Sequence, residues 1–360
     1  MLHLEKIQLY QFKNYKHQQF HFKEKIVGIV GNNGIGKTNL LDAIYYLCFT
    51  KSYFGKSEVN SVQFGFQGMR LEGDFIKNDQ SEKIICIVRE NNKKEITRND
   101  EGYKKFSEHL GQFPIVMIAP DDVELINGNS DVRRKFLDTL LSQLDTKYLQ
   151  NLIVYTKILQ QRNSLLKMAA EKGKMEESLL VILNQQLILP GTYIYETRKK
   201  FATNFLPKVE NSYKQIAGTE EPIKLQYNSQ LAENSFEQLL LNSQARDKML
   251  QRTTVGIHRD DVAFTFQNES FKNIASQGQR KSLLFALKLR EFEELKSAKG
   301  FSPILLLDDV FEKLDAGRMQ NLLSHVCKET DSQVFITDTH KDRLENSLND
   351  LHVEYQLVEL

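Results

Sequence analysis

The octapeptide Gly31-Asn32-Asn33-Gly34-Ile35-Gly36-Lys37-Thr38 fits the pattern GxxxxGK[ST], and it constrains this chain more than any other stretch. Glycines let such a loop curl so that successive N–H groups converge on phosphate oxygens. Lys37 adds a point charge for the β- and γ-phosphates, and Thr38 offers a hydroxyl to Mg²⁺. The pattern needs a strand before it and a helix after it. The apolar run Lys25-Ile26-Val27-Gly28-Ile29-Val30 supplies the strand. The segment 39–47 has apolar residues at helical spacing, which places the phosphates at a helix N-terminus.

The acidic strand that such a loop requires comes more than two hundred residues later, as Ile304-Leu305-Leu306-Leu307-Asp308-Asp309. Four apolar residues would deliver Asp308 to the C-terminal edge of a buried strand, where Mg²⁺ sits. Asp309 follows, placed to orient or deprotonate an attacking water. Lys37 and Asp308 must meet at one ion, so the two ends of the chain are expected to share one sheet.

The intervening texture supports that division. Up to about residue 118 the pattern is mostly strand: Leu2–Tyr10 alternates, Gln18–Phe22 is short and aromatic, and Met69–Ile76, Lys83–Arg89 and Lys94–Arg98 are spaced like an antiparallel meander. Ile115–Ile118 reads as a buried strand. From about 121 to 250 the texture is helical. Ser130–Leu144 puts Val132, Phe136, Leu137, Leu140, Leu141 and Leu144 on one face, and Leu152, Tyr155, Leu159 and Leu166 continue as a second helix. A helix around Met175–Leu187 closes the group, and Pro190-Gly191 and Pro207 are expected to punctuate the remaining helices. Past about 252, strand and helix alternate: a strand 262–266, a helix 278–295, the acidic strand, a helix 317–327, a strand 333–337, a short helix and a strand 353–357. Alternation of this kind implies a parallel sheet. The expected organisation is an α/β head of two segments, 1–118 and 252–360, interrupted by a helical lobe, 119–251.

Composition limits the alternatives. Hydrophobic residues make up 41% and charged residues 26%, the balance of a water-soluble globular protein. The formal net charge is only +1, but residues 1–56 carry eight Lys against three acids and 291–360 carry seven Lys/Arg against fifteen acids. An even total therefore hides a basic region. Cys48, Cys86 and Cys327 lack CxxC spacing and sit in apolar stretches, as buried thiols in a reducing cytoplasm would. No apolar leader opens the chain and no eighteen apolar residues run together, so neither secretion nor membrane spanning is expected.

Ser276-Gln277-Gly278-Gln279-Arg280-Lys281 heads a helix about thirty residues before the acidic strand. Alone, such a tetrapeptide is an ordinary helix cap. In this order (phosphate loop, Ser-Gln-Gly-Gln helix, acidic strand) it resembles the ABC-type ATPases, in which the signature helix of one subunit caps ATP held by another. The fold expected from that resemblance is an ABC-type P-loop ATPase head, a mixed sheet with flanking helices plus antiparallel strands, carrying an inserted α-helical lobe.

Further stretches resemble the RecF family of bacterial repair ATPases within the ABC/SMC-like superfamily. They are 9–15, 31–39, Ala119-Pro120-Asp121-Asp122-Val123, Arg133-Arg134-Lys135-Phe136-Leu137-Asp138, His258-Arg259-Asp260-Asp261, 276–281 and 305–315. Three positions depart from the family's usual pattern: Ser130 and Ile257 replace Pro, and Lys313 replaces Glu before Leu314-Asp315. The resemblance implies ATP and Mg²⁺ as cofactors, with Gly31 to Thr38 on the nucleotide and Thr38 and Asp308 on the metal. It further implies that Ser276, Gly278, Gln279 and Asp315 of one copy complete the site of another, so that ATP drives a homodimer. It implies weak, DNA-stimulated hydrolysis, with Asp309 shorter by one carbon than the Glu of many relatives. It implies binding to single-stranded or gapped DNA, action with RecR and RecO in loading RecA, and roles in DNA repair, replication restart and the SOS response.

Candidate DNA contacts are Lys13, Lys16, Lys51, Lys56, Lys93, Lys94, Arg133, Arg134, Arg198, Lys199 and Lys200, with Tyr15, Tyr53 and Phe54 interleaved; a charge run of this kind is otherwise a solvated face. In Thr337-Asp338-Thr339-His340, either Asp338 or His340 senses the γ-phosphate or the segment is a helix-capping turn. Gln112 is either the Q-loop glutamine or a surface residue. A rival reading is the ATP module of a transporter, against which the large helical insertion argues. A second is an SMC-like chromosome organiser, which needs coiled-coil arms far longer than the roughly 130 residues available here.

Overall fold

The computed structural model describes residues 1–55, 57–217, 222–309, 323–328 and 330–360. Two compact units emerge: Met1–Asp122 with Leu287–Leu360, and Val123–Ala286.

The first unit contains two sheets. Strands β1 (Leu2–Phe12), β2 (Tyr15–His21), β4 (Met69–Lys77), β5 (Gln80–Val88), β6 (Lys94–Arg98) and β7 (Glu101–Gly102) form an antiparallel sheet in the order β2-β1-β4-β5-β6-β7. The alternation seen in β1 and β4 becomes alternating burial, with Ile7, Leu9, Leu71 and Phe75 turned inward. Strands β3 (Ile26–Val30), β8 (Ile115–Ile118), β12 (Ile304–Leu307), β13 (Val334–Asp338) and β14 (Gln356–Glu359) form a parallel sheet in the order β14-β3-β13-β12-β8. All residues of β3, β8, β12 and β13 are buried, the continuous apolar signature of a sheet covered on both faces. The two chain ends thus share one sheet, as the phosphate loop demands.

Helix Lys37–Phe49 contacts β1, β4 and β5 of one sheet and β8 and β13 of the other. Eleven of its thirteen residues are buried, which accounts for its apolar residues on every face. Cys48 and Cys86 are buried in the same core, Cys327 is partly buried, and burial raises all three thiol pKa values, Cys86 and Cys327 to about 12.

The second unit is built on helices Ser130–Leu144, Thr146–Lys172 and Glu177–Ala217. The third contradicts the expected punctuation: a single helix of 41 residues runs through both Pro190 and Pro207. Each Pro removes one backbone donor; Pro190 is itself buried, and Pro207 is exposed between the buried Leu206 and Val209. A Cβ on Gly191 would lie 2.4 Å from the Phe236 ring, so the glycine beside Pro190 marks a close approach within the core and not a chain reversal.

A second difference concerns strands. The region expected to be wholly helical contains β9 (Ile223–Asn228), which pairs antiparallel with β10 (Asp261–Phe266), and β10 pairs with the short β11 (Glu269–Ser270). The strand expected at 262–266 therefore belongs to this three-stranded sheet and not to the parallel sheet. With it, the second unit extends to 286, whereas the sequence pattern suggested a change near 252. Helix Gln277–Lys299 begins in the second unit and ends in the first. Among the described residues no helix is long and apolar enough to cross a membrane.

Candidate functional site

The phosphate loop leaves the C-terminal end of β3 and enters helix Lys37–Phe49, with Gly31, Gly34 and Gly36 at φ 153°, 81° and 126°. Two features favour glycine at position 36. Its φ is unfavourable for an L side chain, and a Cβ there would stand 2.5 Å from Asn14 Nδ2. That contact comes from the β1–β2 turn, which buttresses the loop. Asn14 Nδ2 donates to Ile35 O at 2.8 Å, and Tyr15 Oη donates to Gly36 O at 3.0 Å. Asn39 Nδ2 in turn donates to Asn14 Oδ1 at 2.8 Å. The sequence reading placed Tyr15 among DNA-facing aromatics, but its ring is buried and its hydroxyl holds the loop.

Asn32, Asn33, Gly34 and Ile35 are exposed, whereas Gly36 and Lys37 are buried. Lys37 Nζ donates to the carbonyls of Gly31 (2.7 Å) and Asn32 (3.1 Å), which holds the ammonium over the loop. Thr38 Oγ1 lies 3.0 Å from both carboxylate oxygens of Asp308, at the end of β12. Segments 270 residues apart in sequence thus meet through one hydroxyl.

A third strand contributes what the sequence reading missed. Thr337 Oγ1 donates to Asp308 Oδ1 at 2.9 Å and accepts from the Asp309 N–H at 2.9 Å. The signal was present: Thr337 is a hydroxyl at the end of the apolar run Val334-Phe335-Ile336, in the strand lying between β3 and β12. Asp309 adopts φ 45°, a left-handed turn that Asp tolerates better than most residues.

Burial pushes the Asp308 carboxyl up, and the Asp309 charge adds to this. The two threonine hydroxyls and Lys37 pull it down, leaving it at about 6. Among the described residues no cation lies within ion-pair distance of Asp308, and no cluster of three or more metal-ligating side chains occurs. A buried carboxylate with a neighbouring hydroxyl and no paired cation is a donor set suited to Mg²⁺. That ion keeps several waters and takes one or two protein ligands beside phosphate oxygens.

Ser276, Gly278 and Gln279 belong to the second unit and Lys37 to the first. Ser276 is exposed and forms a reciprocal cap: Ser276 N donates to Gln279 Oε1 (2.7 Å), and Gln279 N donates to Ser276 Oγ (3.2 Å). Asp315 and Lys313 lie outside the described residues, as do Lys56 and most of the expected helix 317–327. Asp338 is a capping residue, accepting from His340 N (2.9 Å) and from the Arg343 guanidinium. Gln112 precedes β8, at the end of the sheet opposite the phosphate loop, and accepts from Lys77 Nζ at 3.3 Å.

Several candidate DNA contacts are engaged elsewhere. Lys13 pairs at 2.6 Å with the fully buried Asp42, Lys94 pairs with Glu58, and Lys93 with Glu95. Arg133 pairs with Asp261, and Arg134 donates to Asp260 O. Arg198 corrects the surface reading outright: it is 1% exposed and bonds to Asp138, Asp260, Tyr148 Oη and Ile257 O. Lys16, Lys51, Lys199 and Lys200 are exposed.

Residues 3–357 match the family described as the RecF/RecN/SMC N terminal domain. The chain is 42% identical over 359 residues to the DNA replication and repair protein RecF of Flavobacterium johnsoniae, covering 100% of both chains. The chain belongs to the RecF family. It is also 40% identical over 354 residues to the RecF of Parabacteroides distasonis, with 98% and 96% covered. Among solved structures it resembles the recombination mediator RecF with ATP, in the RecFOR pathway (TM-score 0.87, 32% identity, 94% and 92% covered). A second structure of that mediator, with an ATP analogue, gives TM-score 0.88 at 30% identity, with 100% and 96% covered. The Smc head domain of Pyrococcus furiosus shares the fold at TM-score 0.54 and 17% identity, with 96% and 92% covered. The fold is therefore the α/β ATPase head of the ABC/SMC class with an inserted helical lobe.

Proposed function

We propose that this chain is an ATP-driven clamp on DNA that acts in replication and repair. The observation that carries the reading is the meeting of Thr38, Asp308 and Thr337, which joins the phosphate loop to the acidic strand. In this reading, loop N–H groups from Gly31 to Thr38 cradle the phosphates, and Lys37 turns from the loop carbonyls to the β- and γ-phosphate oxygens. Thr38 and Asp308 would hold Mg²⁺, which when bound neutralises charge on those oxygens. Asp309, fixed by its N–H on Thr337, orients the attacking water.

Ser276, Gly278 and Gln279 then serve the nucleotide of a second copy, with the Ser276 cap fixing the first turn of the helix. Asp315 would act beside them. ATP in this scheme joins two copies around DNA, and slow, DNA-stimulated hydrolysis releases them. The relatives' names and the RecFOR pathway of the solved neighbours support action in DNA repair beside RecO and RecR. In this reading the target is gapped or single-stranded DNA, the outcome is RecA loading, and the place of work is the cytoplasm. The longest lobe helix, 41 residues, spans only about 60 Å and packs on its neighbour, so an SMC-like arm is not favoured.

Sedimentation with and without ATP, Mg²⁺ and gapped DNA tests this, comparing wild type with Lys37→Ala. The expected result is ATP-dependent dimers on DNA for wild type and monomers for the variant. A wild-type chain that stays monomeric and ignores DNA in low salt overturns the clamp.

A further inference from the structure

The turn that buttresses the phosphate loop also holds an exposed aromatic tip. Lys13 N donates to Ser61 O (2.9 Å), Gln63 N to Gln11 O (2.7 Å) and Gln63 Nε2 to Asn14 O (3.3 Å), while Phe12 bridges Val62. From this anchorage the chain turns through Gln63–Phe66, closed by Phe66 N to Gln63 O at 3.0 Å, with Gly65 at φ 87°. Phe64, at the head of the turn, is fully exposed, Phe66 is 38% exposed and Val59, just before, is 57% exposed. Phenylalanine exposed to this degree on an ordered, hydrogen-bonded turn contributes nothing to the core and costs solvation.

The neighbouring hairpin is rich in cations. From Lys6 to Lys23 the β1–β2 hairpin has four Lys, two His and no acid. Lys13 is neutralised by Asp42, but Lys16 and His17 are exposed just past the turn, and the His17 ring stacks on Tyr10 at 4.5 Å between centroids. β2 is an edge strand of its sheet, and Lys16 to Gln19 on it are exposed.

Resting on the reading that the chain binds DNA, we propose that Phe64 is a base-stacking residue for unpaired nucleotides, with Lys16 and the hairpin edge taking the adjoining phosphates. An exposed aromatic ring near an exposed lysine, next to an acid-free edge strand, is the pairing that single strands recognise: every base offers a face to stack, and the backbone supplies negative charge. A protein partner would equally cover the ring, but the acid-free strand β2 beside the turn, with Lys16 and His17 exposed on it, favours a polyanion. Because the turn is already hydrogen-bonded, stacking has only the ring left to order.

The test uses the full chain and two fluorescent probes of equal length, a thymidine single strand of about thirty nucleotides and a blunt duplex. Phe64→Ala should weaken single-strand binding by about tenfold, the size of one lost stack, and leave duplex binding unchanged. Phe64→Trp should restore it. Lys16→Ala should lower affinity for both probes and flatten the salt dependence, which Phe64→Ala should not do. Single-strand affinity unchanged in Phe64→Ala overturns the proposal. So does an equal loss on both probes, or a shift of the monomer–dimer balance with DNA binding intact, which would make the ring a protein contact. If the wild type binds neither probe at low salt, it is the DNA reading under Proposed function that falls.

Discussion

Asp308 in the first unit and Asp247 in the second are both buried carboxylates, yet their surroundings are opposite. Asp247 meets the Arg162 guanidinium at 2.8 Å, and its other oxygen accepts from Thr254 N and Oγ1. Arg162 bonds in addition to Asn184 Oδ1 and Thr253 Oγ1. The charges are matched inside the lobe, and the pair ties helix Thr146–Lys172 to helix Gln244–Leu250. Among the described residues Asp308 receives neutral hydroxyls, and no cation, at hydrogen-bond distance, and its carboxyl is driven up to about 6. A buried acid whose charge is matched by the fold is architecture. One left with hydroxyls can accept a cation from outside, as the proposed Mg²⁺ role requires.

The largest expected effect breaks the matched pair. Arg162→Met leaves Asp247 buried without its cation and should cost about 3–5 kcal/mol of stability, read by urea unfolding. An undiminished midpoint would mean that the lobe does not depend on this pair. Next comes Asp308→Asn, which keeps an acceptor for the hydroxyls and removes the unmatched charge. ATP turnover should fall by about a hundredfold or more while thermal stability holds or rises. A variant that unfolds as readily as Arg162→Met would erase the distinction between the two acids.

Acid titration reaches the first unit through the buried His3 and His109 and the second through the half-buried His258. Burial lowers His109 and His258 to about 4. Their rings contact Leu47 O and Tyr103 Oη, and Tyr155 Oη and Thr253 O. With the folded values below the unfolded value of about 6.5, the unfolded chain binds more protons between these limits. Stability is therefore complete above about pH 6.5 and falls as pH drops towards 4, by about 1 kcal/mol per pH unit for each histidine. Denaturant midpoints from pH 7.5 to 4.5 check the sign, and a flat profile would contradict it. The smallest effect concerns the buttress: Asn14→Ala removes one hydrogen bond to Ile35 O and should weaken ATP binding about threefold, by calorimetry.

What could be foreseen from sequence followed the reach of local pattern. The loop, its flanking strand and helix, and the acidic strand are contiguous runs whose period is visible. The sharing of one sheet followed from the need for Lys37 and Asp308 to meet. Thr337 escaped because its role depends on which strand lies between two others. β9 escaped because Ile223–Asn228 is a short strand within a helical stretch, defined by a partner more than thirty residues on. Pro190 and Pro207 looked like helix ends because the packing that retains them in one helix is tertiary. Arg198 looked like a surface cation beside Lys199 and Lys200, and only the fold turns it onto Asp138 and Asp260.

The central claim is that each ATP site is completed by a second copy of the chain. Mixing two inactive variants, Lys37→Ala and Ser276→Arg, tests it most directly. In the mixed dimer one site joins an intact loop to an intact Ser276, so an equal mixture should regain ATP turnover that neither variant shows alone. If each chain completes its own site, the mixture stays as inactive as either variant alone, and the account is wrong.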